Sequence, residues 1–374
     1  MAFPEISRRV IVDRSPIGAD DQRAEGMLSK NLTWVICGVA ATLVGTAAAA
    51  FDGFSEMVAG LPIDSADARA EFYFMSPRLV LDWPPRDIPG IGLSEITPVL
   101  VDAALGVEKV GISFPDLAGI VHLGSSPHRT IHLFGPELNI ESVAEALLRR
   151  PDMEQLERNG VTVFAEGADN ETNLNAVDRV YPFGGGWRAH RVAVWDGGAL
   201  VAFNWADLEH LLAARGAEVD AGRQGWHLVD LVSVAANATP GGAEVFAAAG
   251  FPIRVFQLEG APQPIARSVQ AFSYVLFVAI TDGNDEAVQM VLVYDDRTAA
   301  EASTKVLASR LSEINGPDGT VVTRDIAELP GGAFGAVITL AFTPDAEDHP
   351  ASRELRRWLN DVLSGRLQIL SVAE

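Results

Sequence analysis

Cysteine is almost missing from this chain. Its 374 residues hold one, Cys37, so the body beyond it contains no disulfide and its stability has to come from packed cores. Cys37 is also a poor lipid-attachment site, because the bulky Ile36 precedes it where a small residue is wanted. Positive charge is scarce too. The 28 Lys and Arg face 50 Asp and Glu, a net charge of −22, and only Lys30, Lys109 and Lys305 are lysines. With residues 1–50 set aside, which carry five bases and five acids, 23 bases face 45 acids and the net charge is unchanged. Such a body repels nucleic acid and anionic lipid surfaces, which excludes both as partners.

Charge of either sign is absent from Leu32 to Phe51. Twenty helical residues reach roughly 30 Å, the thickness of a bilayer's hydrocarbon core. The strongest apolar part, Leu32 to Val44, is shorter, and it ends in Gly45-Thr46 and the tract Ala47-Ala48-Ala49-Ala50. A basic start, an apolar centre and small residues at the end are the parts of a secretory signal peptide. The expectation is a signal peptide over 31–50, with an uncleaved membrane anchor as the alternative. Arg14, Arg23 and Lys30 precede the segment, and no Lys or Arg occurs from Phe51 through Ala68. Positive charge stays inside, so the body is expected to be exported, whether periplasmic, cell-surface or secreted, and to meet membrane only through 32–51. Residues 1–30 read as a disordered or non-native extension, with Met27 a candidate start.

The body reads as α+β. Residues 51–90 form a proline-rich approach segment, ending in Trp83-Pro84-Pro85 and Pro89-Gly90. Thr97-Pro98 opens a predicted helix that stops near Gly106. Strands are expected at 117–123 and 130–134, followed by a helix capped by Asn139 whose last turn runs through Leu156 to an Asn159-Gly160 stop. Strands at 161–165, 191–195 and 199–203 precede a helix over 205–214 capped by Asn204.

The carboxyl part repeats this order. Strands at 271–280 and 287–294 flank the turn Asp282-Gly283-Asn284-Asp285. A helix capped by Asp295 or Asp296 ends at Asn315-Gly316, and strands at 320–323 and 333–342 precede a helix over 352–363. Two similar units in tandem are therefore expected, 91–245 and 250–374, each hairpin, helix, strands, helix, joined by the Ala-, Gly- and Pro-rich stretch 237–251. No set of residues resembles a known family closely enough to name one.

Few motifs carry chemistry. The chain contains no phosphate-binding loop, dinucleotide fingerprint, zinc-protease helix motif or serine-hydrolase elbow. His122, His128 and His132 fall within eleven residues. If the hairpin turn centres on Pro127, His122 faces His132 and three imidazoles could hold zinc; a one-residue change of register separates them. Asp169, Glu171, Asn173, Asn175 and Asp178 place oxygen atoms at nearly alternate positions, a pattern that suits calcium, although Leu174 stands where the helix–loop–helix motif has glycine. A solvated loop explains the same residues. The expected function is therefore non-enzymatic binding or scaffolding of an extracytoplasmic ligand or protein, without a resident cofactor. The alternative is an exported metal-dependent hydrolase built on the histidines.

Overall fold

In the computed structural model the compact body runs from Ala47 to Glu374. The structure describes parts of 54–61, then 71–80, 83, 103–124, 129–136, 138–169, 171, 190–214, 225–239, 243–252, 269, 272–315, 320–343 and 348–363. The apolar segment 32–51, the extension before it, Thr97-Pro98 and the stretch 367–372 lie outside the described residues.

The fold is α+β, with helices packed on one large antiparallel sheet. In chain order the described elements are β1 (Phe72–Met75), α1 (Pro77–Val80), α2 (Ala103–Val110), a 3-10 turn (Phe114–Asp116), β2 (Gly119–Leu123), β3 (Thr130–Phe134) and α3 (Ile140–Leu147). They continue with β4 (Glu154–Arg158), β5 (Val161–Ala165), β6 (Arg191–Trp195), β7 (Gly198–Ala202), α4 (Trp205–Ala214) and α5 (Leu228–Asn237). The last are β8 (Glu244–Pro252), β9 (Tyr274–Thr281), β10 (Glu286–Tyr294), α6 (Arg297–Asn315), β11 (Thr320–Glu328), a second 3-10 turn (Pro330–Gly332), β12 (Phe334–Phe342) and α7 (Pro350–Leu363). The twelve strands form a single sheet in the order β11-β12-β10-β9-β8-β1-β2-β3-β7-β6-β5-β4.

Both faces of the sheet are buried, so the central strands are apolar on both sides. One face carries Ile120, Ile131, Val192, Phe277, Met290 and Ile338 under α3, α6 and α7. The other carries Val121, Leu276, Val291 and Val337 under α5 and Phe54. It continues through Val163, Ala193 and Leu200 beneath Leu208, Leu211 and Leu212 of α4. Helix caps act where the sequence places them. Asn139 accepts from the Ser142 N–H at 2.8 Å, Asn204 from Asp207 at 2.8 Å, and Asp296 from Ala299 at 2.9 Å.

Four expectations need correction. Helix α2 continues through Gly106 to Val110 and stops at Gly111, whose φ of 71° is the left-handed conformation a helix end uses. Residues 154–158 are not the last turn of a helix but strand β4. Asn159 and Gly160, at φ 50° and 71°, form the tight turn into β5. The approach segment 51–90 supplies β1, which lies in the interior of the sheet between β2 and β8. The expected link 237–251 contains most of β8, whose alanines pack without projecting and let a strand pass between covered faces.

Candidate functional site

The register of the first hairpin separates the histidines. Val121 pairs with His132 and His122 with Ile131, so His122 and His132 point to opposite faces. This corrects the expectation that the two face each other. His128 lies outside the described residues. Each of the other two is held in its own surroundings. Arg129 Nη2 donates to His122 Nδ1 at 2.8 Å; a guanidinium has no acceptor, so Nδ1 carries the lone pair and is engaged. Tyr73 lies directly opposite His122 on β1, and burial followed by the nearby Glu71 carboxylate pushes its phenol pKa upward. His132 Nε2 lies 3.3 Å from Thr130 Oγ1, and burial lowers its pKa to about 3, which keeps the ring neutral. Among the described residues no three His, Cys, Asp or Glu side chains are placed to hold a metal ion.

The acidic loop is described only at its start. Asp169 accepts from Arg191 Nη2 at 3.1 Å and from the Trp205 N–H at 3.0 Å, and so caps α4. Glu171 accepts from the Ala168 N–H at 2.8 Å. Asn173, Asn175 and Asp178 lie outside the described residues. Arg191 is 1% exposed and also donates to the carbonyls of Glu166, Gly167 and His190. Its guanidinium lies 4.9 Å from the centre of the Trp205 ring. Glu166 takes a forked pair from Arg150 at 3.0 Å and 3.1 Å. Burial pushes the Glu166 carboxyl upward, but His190 and Arg150 more than offset this and its pKa falls below the usual range. These contacts tie a loop and a helix start to the sheet.

A second polar cluster was not anticipated from the sequence. Glu286, 4% exposed at the start of β10, accepts from His349 Nδ1 at 2.7 Å and from the Ala351 N–H at 3.0 Å. The His349 ring stacks on Trp83, 3.7 Å between centres and 14° from parallel. Burial raises the Glu286 pKa, and His349 and Ala351 offset this only in part. The one signal available was His349-Pro350, since proline favours the first turn of a helix. Nothing in the sequence paired that turn with a residue sixty-three positions earlier.

The described concave surface lies elsewhere. A groove of about 760 Å³ runs between α2, the first 3-10 turn and the start of α3, open to solvent along one side. Ile112, Leu117 and Leu138 line it with Pro115 and Pro136, and Val107 of α2 lines it while 52% exposed. Its polar groups are Arg78, Ser142, and Asp116 with the Ser113 hydroxyl that donates to it at 2.5 Å. Gly111 allows the fold: a side chain there would run into the backbone of Ser142 and Val143, so α2 and α3 could not approach this closely.

No protein-family model matches the chain, and no curated protein does. Among solved structures, crystal form I of TP0453 aligns over 81% of this chain and 97% of that one, at 8% identity and a TM-score of 0.39. Crystal form III covers 81% and 98% at 9% identity and a TM-score of 0.35; crystal form IV covers 79% and 96% at 10% identity and 0.37. The chain is similar to TP0453 at that distant level, and no residue role is carried across.

Proposed function

We propose that this is an exported or outward-facing, membrane-anchored protein that acts by binding or scaffolding, and that a partner seats in the groove between α2 and α3. The groove carries the reading. Its size is that of ligand-binding clefts, and Val107 keeps an apolar surface at a place where the core does not use it. Outward placement rests on the uncharged segment 32–51 and the basic residues before it. A photoreactive residue at Val107 should cross-link a defined partner in intact cells. The same residue at Glu313, exposed on α6, should not; identical products from both positions would remove the groove from consideration. A membrane-impermeant label should reach the body without lysis of the inner membrane, and labelling only after lysis would refute export.

We also infer that the body consists of two copies of one α+β unit. The order of strands supports this: outward from the β1–β8 junction, β1-β2-β3-β7-β6 runs one way and β8-β9-β10-β12-β11 the other. At the junction Phe74 pairs with Ala248, which occupy corresponding places in the two copies. Helices α3 and α6, each following the third strand, lie on the same face. The hairpin β4–β5 is then an insertion in the first copy, and α4 and α7 pack on opposite faces. The Asn-Gly pairs do not support it, since Asn159-Gly160 is a hairpin turn. Superposing the two sets of five strands in an experimental structure should lay Phe74 on Ala248; a best match in any other strand order would refute the duplication.

A further inference from the structure

We propose that the groove takes an extended polypeptide segment, and that an acidic side chain of that segment pairs with Arg78. The proposal rests on the groove being the binding site and adds the class of ligand. Among the described residues Arg78 is exposed and has no carboxylate partner. Other described arginines do have one: Arg149 with Glu145, Arg150 with Glu166, Arg191 with Asp169, Arg297 with Glu301 and Arg353 with Asp348. In a chain with 50 acids to 28 bases, a cation facing a groove without a partner marks a place for an incoming anion. The acid of the groove, Asp116, is already occupied by the Ser113 hydroxyl. On the opposite wall the Asn139-capped start of α3 adds the positive end of a helix dipole near Ser142.

The remaining surface decides between ligand types. The groove is a trough open along one side rather than a closed cavity, so it buries one face of a long occupant. An extended strand places alternate side chains on one face, which lets an acidic residue meet Arg78 while an apolar neighbour two positions away rests against Val107 and Leu117. An anionic lipid surface would also offer charge to Arg78, but it would meet the field of a body at −22.

Selection of randomised heptapeptides on the purified full chain tests this. Enriched peptides should carry Asp or Glu next to apolar residues. Arg78→Gln and Val107→Asp should each weaken the best of them at least tenfold, and Arg324→Gln, a charge loss on β11, should leave it unchanged. All three substitutions lie on the surface, so unchanged melting temperatures confirm that folding is intact. If enriched peptides lack an acid, or Arg78→Gln has no effect while Val107→Asp abolishes binding, the acidic class is wrong and the groove reading stands. If no peptide is enriched, or binding ignores both variants, the proposal is overturned. Binding to phosphatidylglycerol vesicles that is lost in Arg78→Gln, without any enriched peptide, overturns it in favour of a lipid.

Discussion

Replacing Arg191 by Met should be the most damaging single change in the first half of the sheet. The guanidinium is 1% exposed and donates at 2.6 Å to the Glu166 carbonyl and at 2.9 Å to that of Gly167. Neither carbonyl has a second donor among the described residues, and leaving each unpaired costs about 1–1.5 kcal/mol. The His190 carbonyl also receives the Glu166 N–H, so it loses little. The ion pair with Asp169 adds no more than about 1 kcal/mol, because that carboxylate is 44% exposed and screened. The face of Trp205 loses a cation, worth about 1 kcal/mol. The total is about 3–4 kcal/mol. For a body of this size that is a fall in melting temperature of about 6–10 °C. Calorimetry on the parent, Arg191→Met and Asp169→Asn measures it, with Asp169→Asn losing only about 1 kcal/mol. A melting temperature for Arg191→Met within about 2 °C of the parent would refute the assignment of these contacts as a structural anchor.

Two pH effects of opposite sign follow from buried titrating groups. The His132 pKa is lowered in the fold to about 3, so the stability it contributes is complete above its ordinary value and is lost as pH falls from about 6.5 towards 3. Its greatest slope is about 1.4 kcal/mol per pH unit, and urea melts of His132→Gln should show a shallower acid limb; an unchanged limb counts against a buried neutral ring. The Glu286 pKa is raised, so its contribution is present below the ordinary carboxylate range and is lost as pH rises through its folded value. Glu286→Gln should flatten stability above that range, and a variant that destabilises equally at every pH would point to lost hydrogen bonds alone.

Local chemistry was legible in the chain wherever neighbours in sequence decide the outcome. Asn139, Asn204 and Asp296 cap helices because a short oxygen-bearing side chain reaches an N–H three residues on, whatever surrounds it. Strands 130–134 and 287–294 and the helix over 205–214 follow from apolar runs and their period. What only the tertiary structure decided depends on partners far along the chain. Asn-Gly serves equally as a helix stop or a hairpin turn, and at 159–160 the pairing of β4 with β5 chose the turn. Alanine-rich 244–252 looked like a link because alanine has little strand preference of its own; packing between two covered faces makes it a strand. The separation of His122 from His132 rests on one residue of register, and the turn residues do not specify that register, since a shift by one sends every side chain to the other face. The groove likewise exists only because Gly111 lets α2 and α3 approach. It brings Arg78 near Ser142, residues that no local pattern relates.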